Sequence, residues 1–296
     1  MASEKWHFRV QSAVIIDSHI HLFQNRVLSD RSEFLHKDKA FCALYSPPKS
    51  RLASRSQIID YMDKFSISKA VVFGFPWQDP ELFRENNDAV LEFASRKPER
   101  IIPFATLGLD NADAACVEVE RSLKSGFRGI GELSMYENGW DKASIGTLND
   151  CVRIASSYRV PVMLHVNEPV GHNYPGKVFV DFNELLATIG NFPDVDFILA
   201  HLGGGIFFYS LMPEIAAILK NTYVDTAATP YIYDSRIFDI SVNLMWEDRV
   251  LFGSDYPLLG LERYLREFEK SSMTDAQKNK ILGQNAMGLL KLTSGE

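Results

Sequence analysis

The sequence predicts an α/β protein built as a (β/α)8 barrel, the TIM-barrel fold. Eight short apolar runs, rich in β-branched residues, are separated by segments in which apolar residues recur at helical spacing. The runs are apolar throughout, as expected for parallel strands that are buried on both faces of a sheet. Eight predicted strands, alternating with helical segments within 296 residues, favour a closed barrel over an open, doubly wound sheet.

The predicted elements alternate along the chain. Predicted strands cover residues 14–23, 70–76, 101–107, 127–133, 160–166, 196–203, 222–227 and 250–254. Apolar residues at helical spacing follow at 58–65, 116–123, 148–158, 182–189, 211–219, 237–244 and 281–289. No repeat, low-complexity tract or linker divides the chain, so residues 1–296 are expected to form a single domain. The long first connection, residues 24–54, either covers the barrel mouth or is a solvated surface loop.

Composition and charge limit the partners of the protein. With 31 basic and 38 acidic residues the net charge is −7, and no basic tract is present, which argues against a nucleic-acid partner. No apolar run reaches transmembrane length, and the first ten residues lack the apolar core of a signal peptide. We therefore expect a soluble, cytoplasmic protein that acts on a small molecule, without a membrane partner.

Potential metal ligands lie at the ends of five predicted strands. His19 and His21 end the first strand, and because they are two residues apart their imidazoles share one face. The fourth, fifth, sixth and eighth strands end in Glu132, His165, His201 and Asp255. The carboxyl ends of barrel strands meet at one face, where active sites of this fold lie. A structural role is an alternative for each histidine alone, but the set together predicts a divalent-metal centre.

These residues resemble the signature of a known group. The run Asp17-Ser18-His19-Ile20-His21, with His165, His201 and Asp255, is similar to the ligand pattern of the amidohydrolase superfamily on strands one, five, six and eight. The branch that it resembles is the amidohydrolase 2 family, which includes aminocarboxymuconate-semialdehyde decarboxylase. The resemblance extends from residue 14 to residue 257 and implies a metal-dependent TIM-barrel enzyme of unspecified substrate.

The resemblance also implies roles for the ligands. His19, His21 and Asp255 would hold one metal ion, and His165 would join that shell or bind a second ion. His201 matches a residue that polarises the substrate or moves protons in single-metal relatives, and that holds the second ion in two-metal relatives. Glu132 matches the bridging glutamate of the TatD-like deoxyribonucleases, with a carboxylate that bonds a neighbouring group as the alternative.

This ligand set predicts hydrolytic chemistry. Zinc is the expected metal, as one or two ions, with manganese or iron as alternatives. A bound cation lowers the pKa of water to roughly 7, and Asp255 and His201 would then act as the catalytic residues. The sequence thus predicts a hydrolase of a small amide, lactone, ester or cyclic imide. A non-oxidative decarboxylase of an unsaturated or aromatic acid and a TatD-like phosphodiesterase are the alternatives.

Substrate contacts are expected from loops that follow the strands. The candidates are His172 and Tyr174 after the fifth strand, Trp77 after the second and Arg236 after the seventh, with solvated loop positions as the alternative. Asp225, at the end of the seventh strand, either orients a ligand histidine or is structural. Dimers are common among the proteins that the chain resembles, so a homodimer is also expected.

Overall fold

Eight parallel strands form the centre of the protein. The computed structural model describes residues 14–292, so the signal-peptide prediction for residues 1–10 and the two ends of the single-domain prediction lie outside the described residues. The strands are β1 Ile16–His21, β2 Lys69–Phe73, β3 Ile101–Ala105, β4 Gly129–Leu133, β5 Val162–Leu164, β6 Phe197–Leu199, β7 Thr222–Asp225 and β8 Val250–Leu251. Each lies within the run predicted for it, apart from Lys69 at the start of β2.

The strands pair in sequence order and the sheet closes on itself. Every neighbouring pair from β1 to β8 is parallel. Backbone hydrogen bonds then join β1 to the residues that follow β8: Ser18 N donates to Phe252 O at 2.7 Å, and Asp255 N donates to His19 O at 3.0 Å. The prediction of a (β/α)8 barrel is confirmed. The same bonds bring Asp255 beside the histidine pair.

Helices surround the barrel. They are α1 Asn25–Ser29, α2 Arg31–Leu35, α3 Lys39–Tyr45, α4 Arg55–Lys64, α5 Pro80–Arg96, α6 Ala112–Lys124, α7 Lys142–Tyr158, α8 Phe182–Asn191, α9 Pro213–Ile218, α10 Thr229–Ile232, α11 Arg236–Ser241, α12 Leu261–Lys270, α13 Asp275–Asn279 and α14 Asn285–Leu289. Residues His201–Leu211 form consecutive tight turns in which Leu202, Gly203, Gly204 and Gly205 have positive φ. A short 3₁₀ segment covers Leu219–Asn221, and π-helical turns cover Val242–Trp246 and Lys280–Gln284. None of the helices within residues 14–292 is both long and apolar enough to cross a membrane.

The first connection is structured rather than a plain loop. Residues 24–54 contain α1, α2 and α3, and Phe34 and Phe41 from this segment are fully buried. Its last part, including Tyr45 and Arg51, lines the cavity at the barrel mouth. Of the two interpretations that the sequence left open, the structure shows the one in which the segment covers part of the mouth.

Apolar periodicity missed seven of the fourteen described helices, of which α5 and α12 are the longest. The buried face of α5 includes Asn86 and Asn87, and that of α12 includes Glu267, so polar residues interrupt the apolar pattern. For Asn87 the tertiary structure supplies partners, since its Nδ2 donates to Thr106 O at 3.1 Å and to Glu118 Oε1 at 2.8 Å.

Candidate metal centre and active site

The structure brings the six predicted ligands together at one end of the barrel. Five of them are buried and Asp255 is nearly so, with 13% of its side chain exposed. The six residues are His19, His21, Glu132, His165, His201 and Asp255. They come from β1, β4 and the segments that follow β5, β6 and β8 within four residues, so the parallel order of the strands is what places them side by side.

The six side chains form two groups that share Glu132. In the first group, Glu132 Oε2 lies 3.7 Å from His19 Nε2 and 3.9 Å from His21 Nε2. Asp255 Oδ1 lies 3.3 Å from His21 Nε2 and 3.8 Å from His19 Nε2. These four residues therefore surround one point with two nitrogens and two carboxylate oxygens.

The second group lies on the other side of Glu132. Its Oε1 atom is 3.0 Å from His165 Nδ1 and 3.3 Å from His201 Nε2, and these two ring nitrogens are 3.0 Å apart. The Oε1 and Oε2 atoms of one carboxylate thus face different histidine pairs, and the role of Glu132 as a bridging ligand stays a prediction.

The outward-facing nitrogen of each histidine is held by an acceptor. The contacts are His19 Nδ1 to Asp225 Oδ2 at 2.8 Å, His21 Nδ1 to Gly74 O at 3.0 Å, His165 Nε2 to Asn167 Oδ1 at 2.7 Å and His201 Nδ1 to Ala227 O at 3.0 Å. Oxygens of this kind only accept, so each outer nitrogen donates an N–H and a neutral ring turns its lone pair inward. That is the state in which histidine binds a metal ion. Of the two roles left open for Asp225, the structure shows the orienting one.

The inner nitrogens fit a cation. His19 Nε2 is buried and has no hydrogen-bond partner among residues 14–292. The inner nitrogens of His165 and His201 face each other at 3.0 Å, where two lone pairs repel unless a proton or an ion lies between them. Both groups of three, His19–His21–Glu132 and Glu132–His165–His201, are compact enough to hold a metal ion. The chain therefore has a site that can bind a divalent cation, as predicted.

The electrostatics of the cluster favour positive charge at its centre. Burial alone lowers the pKa of His19, but the Asp225 and Glu132 carboxylates outweigh it and raise that pKa to about 10. His201 behaves in the same way, since its contact with Glu132 outweighs burial and raises its pKa to about 9. Burial raises the pKa of Asp255, yet the hydrogen bond with His21 and the charge of His19 hold it at about 2. Protons bound to the histidines, or a bound metal cation, would each balance the negative charge of these carboxylates.

Two glycines allow the backbone to build this site. Gly131 has φ of +126°, and a Cβ atom there would lie 2.4 Å from Met163 O, so only glycine fits before Glu132. Gly204, at φ +59°, approaches Asn167 so closely that a Cβ atom would lie 2.3 Å from its carbonyl oxygen. The Gly203–Gly205 run thus permits close packing of the loops after β5 and β6.

The cluster opens into an aromatic cavity of about 810 Å³. His21, Glu132, His165, His201 and Asp255 lie at its inner end. Its walls include the aromatic side chains Tyr45, Phe75, Tyr136, Tyr174, Phe208 and Tyr233. A cavity of this size, with apolar walls and polar groups at one end, is typical of a site for a small molecule.

Two of the four predicted substrate contacts line this cavity. His172 and Tyr174, from the loop after β5, are among its lining residues. Trp77 and Arg236 are not, so the structure corrects the prediction for both.

Trp77 and Arg236 lie away from the cavity for different physical reasons. Trp77 is fully buried and packs against Phe41 and Phe75, with ring centroids 4.6 and 4.9 Å away, because its large apolar surface is most stable in the core. Arg236 remains exposed and its Nε donates to Asp234 Oδ1 at 2.8 Å, two residues before it.

Sequence reasoning missed three polar residues of the site: Tyr45, Arg51 and Asn167. Tyr45 and Arg51 gave no signal, because they belong to the first connection and only its fold directs them to the cavity. Asn167 had a weak signal, since it lies two residues after His165 near the end of β5.

Comparisons with known proteins agree with the fold. A barrel with ligands at the ends of strands one, four, five, six and eight defines a metal-dependent class of enzymes. The family model described as Amidohydrolase matches residues 16–292, and the chain belongs to that family, as the resemblance predicted.

Sequence relatives within this family are decarboxylases. Gamma-resorcylate decarboxylase from Rhizobium radiobacter is 24% identical over 257 residues, which is 72% of this chain and 76% of that protein. The 2-amino-3-carboxymuconate-6-semialdehyde decarboxylase of Dictyostelium discoideum is 24% identical over 268 residues, covering 75% of this chain and 70% of that protein.

A solved structure shows the same fold. The 5-carboxyvanillate decarboxylase of Novosphingobium aromaticivorans, complexed with manganese and 4-hydroxy-3-methoxy-5-nitrobenzoic acid, superimposes with a TM-score of 0.75 at 18% identity. The match covers 96% of this chain and 97% of that one.

These findings correct the predicted activity. The chain is an enzyme of the amidohydrolase superfamily, but its named relatives are decarboxylases, so the prediction of a hydrolase acting on a carbonyl compound is wrong. The ligand residues did not reveal this, because the same set of imidazoles and carboxylates serves both reactions and the substrate determines which bond breaks.

Proposed function

We propose that the protein is a metal-dependent, non-oxidative decarboxylase of an aromatic acid. The observation that carries the proposal is that sequence relatives matching about three-quarters of the chain are decarboxylases, one named for an aromatic acid, gamma-resorcylate, and one for an unsaturated acid, a carboxymuconate semialdehyde. In this reaction the bond between the ring and the carboxylate breaks, CO₂ leaves, and a proton takes its place on the ring carbon. The aromatic walls of the cavity and the cation site at its inner end suit both parts of such a substrate.

The first group of ligands would hold the metal ion. His19, His21 and Asp255 are the proposed ligands, with Glu132 Oε2 beside them and His165 turned to the same cluster through Nδ1. Manganese replaces zinc as the favoured ion, because related structures contain it. When bound, such an ion supplies positive charge that orients the acid oxygens and stabilises negative charge as the bond to CO₂ breaks.

Two side chains at the inner end of the cavity are proposed to act on the substrate, one by proton transfer and one by hydrogen bonding. Asp255, which is ionised near neutral pH, would take up a proton from solvent and pass it to the ring carbon, since it is the least buried of the carboxylates in the cluster and faces the cavity. His201 would hydrogen-bond an oxygen of the acid through Nε2, because its Nδ1 is held by Ala227 O at 3.0 Å. Both residues are the catalytic pair predicted from the sequence.

The first connection would contribute to substrate binding. Arg51 is the only arginine or lysine among the described residues that line the cavity, so it is the cation available for an anionic group of the acid. Tyr45 lines the cavity between α3 and the cluster, and burial, with Asp255 and Glu132 nearby, raises its pKa. Its hydroxyl therefore stays protonated and can donate to an oxygen on the ring.

Turnover assays test this proposal directly. Protein reconstituted with Mn²⁺ is offered 2,6-dihydroxybenzoate and 5-carboxyvanillate in one pool, and lactones, amides and phosphodiesters in others. We expect CO₂ release from the aromatic acids alone, and none from the Asp255→Asn variant. Hydrolysis in another pool, without CO₂ from any aromatic acid, would overturn the proposal.

We also propose that the protein is a cytoplasmic homodimer. Exposed apolar side chains cluster around the cavity entrance, namely Val170, Phe208, Tyr209, Tyr231 and Leu258. A patch of this kind on a protein surface is typical of an interface. Light scattering after size-exclusion chromatography checks this, and a mass of one 33.5 kDa chain at all concentrations would contradict it.

A further inference from the structure

We propose that Asn167 is a positioning residue that sets the orientation of His165 and links the metal cluster to the substrate loop. The loop in question is residues 167–178, which follows β5. The proposal rests on the metal site of the proposed function, but it does not depend on which reaction occurs there. It concerns the tautomer and the ring orientation in which His165 faces the other proposed ligands.

The hydrogen bonds of Asn167 determine which way its amide points. The backbone N–H of Val178 donates to Asn167 Oδ1 at 2.8 Å, so this atom must be the oxygen. On the other side, Asn167 Nδ2 donates to Tyr174 Oη at 3.1 Å. A rotated amide would place an N–H against the N–H of Val178, and that orientation is excluded.

The amide in turn determines the tautomer of His165. Since Asn167 Oδ1 only accepts, His165 Nε2 at 2.7 Å must donate to it. The carbonyl oxygen of Gly176, 3.0 Å from the same nitrogen, is also an acceptor and therefore also requires an N–H at Nε2. A neutral ring then has its lone pair on Nδ1, which is the atom that faces Glu132 Oε1 at 3.0 Å.

His165 differs in this respect from the other histidines of the cluster. His19, His21 and His201 direct Nε2 inward and hold Nδ1 on an outer acceptor, whereas His165 directs Nδ1 inward. Without the acceptor of Asn167 only the Gly176 carbonyl holds Nε2, so the ring turns over or changes tautomer more readily, and either change removes the lone pair from the cluster. The side chain of Asn167 is buried, so water does not readily replace the lost acceptor.

The same amide connects His165 to the cavity wall. Tyr174, which lines the cavity, accepts from Asn167 and donates to Glu168 Oε2 at 3.1 Å. Lys177 Nζ lies 3.4 Å from Glu168 Oε1 and donates to the carbonyl oxygen of His172 at 3.2 Å. Two of the predicted substrate contacts, His172 and Tyr174, and the predicted metal ligand His165 therefore belong to one hydrogen-bonded unit.

Two variants at one position separate orientation from general stability. Asn167→Leu removes the acceptor with little change in size, and Asn167→Asp keeps an acceptor for His165 and Val178. Mn²⁺ affinity is measured by calorimetry on folded, metal-stripped protein, and the melting temperature is measured in parallel. We expect Asn167→Leu to bind Mn²⁺ about 10- to 100-fold more weakly than wild type, and Asn167→Asp to bind at least as tightly as wild type.

Tyr174→Phe tests the connection to the cavity wall. It removes the acceptor of the Asn167 N–H and keeps the contact of the oxygen with His165, so Mn²⁺ affinity should change less than threefold. The affinity for 2-nitroresorcinol, a reported inhibitor of a related decarboxylase, should fall more than the metal affinity.

Each outcome decides between the two proposals. Wild-type protein that binds no Mn²⁺ overturns the metal site of the proposed function and this inference with it. Folded Asn167→Leu that binds Mn²⁺ as wild type does overturns only the inference. If Asn167→Leu does not fold, Asn167→Asp decides alone, because a tenfold loss of Mn²⁺ affinity in a stable Asn167→Asp protein contradicts the proposed role.

Discussion

The two ends of the barrel use the same strands for opposite purposes. At the floor, the apolar residues Ile16, Val71, Phe73, Ile102, Phe104, Met163, Ile198 and Leu251 form a cluster that α14 completes with Ala286 and Leu289. At the mouth, the following residues of these strands place four imidazoles and two carboxylates within a few ångströms of one another. Phe73 marks the boundary, since its ring contacts His19 and His21 edge-on with centroids 4.9 and 4.8 Å away.

The difference shows where stability and function come from. Each fully buried large apolar side chain of the floor stabilises the fold by about 1.5–3 kcal/mol. Buried ionisable groups at the mouth lose their hydration and are stable only when paired with protons, partners or a metal ion. We therefore expect substitutions at the mouth to affect activity, and substitutions at the floor to affect the free energy of unfolding.

The largest effect is expected at Asp255. The Asp255→Asn variant removes the proposed proton donor and one negative charge from the cluster, so CO₂ release should fall about 1,000-fold or more. Its circular dichroism spectrum should match wild type, because the barrel does not depend on this side chain. Retention of a tenth of the wild-type rate would show that another residue delivers the proton.

Phe104→Ala is the matching change at the floor. The ring is fully buried on β3, and its loss leaves a cavity that should lower the free energy of unfolding by about 3–5 kcal/mol. Urea unfolding measures this value, and kcat per folded molecule should stay within about twofold of wild type. A large loss of kcat with unchanged stability would contradict the division between floor and mouth.

Tyr45→Phe sharpens the comparison within the mouth. It removes a single proposed hydrogen bond to the substrate, which corresponds to about 0.5–1.5 kcal/mol, or up to about tenfold in kcat/KM. The loss should occur for acids with a ring hydroxyl and not for matched acids without one. Equal losses for both substrate sets would assign Tyr45 a packing role, as its contacts with Phe23 and Phe75 would allow.

The smallest effect is expected at Arg236. The side chain is exposed and, among residues 14–292, bonds only Asp234 nearby in the chain, so Arg236→Ala should change the free energy of unfolding by less than about 0.5 kcal/mol. Activity should also equal wild type. A marked rise in KM would restore the substrate role that the sequence predicted for this residue.

The sequence by itself determined the architecture and the composition of the site. Apolar runs at strand spacing and helical spacing are local properties, so the eight strands and the barrel followed from them. His19, His165 and Asp255 lie at strand ends in a fold whose strand ends converge, so their meeting was predictable as well. Apolar periodicity did not identify helices with polar residues on their buried faces, such as α5 with Asn87, because the partners of these residues are distant in sequence.

Only the tertiary structure decided what surrounds that cluster. The packing of separate loops determines where Trp77 points and brings Tyr45 and Arg51 to the cavity. It also places Asn167 as the hydrogen-bond acceptor of His165. No local sequence pattern predicts those contacts, because the separation of two segments in the sequence does not determine whether they are close in the folded protein. The reaction class depended in turn on comparison with relatives, since one set of ligands serves hydrolysis and decarboxylation alike.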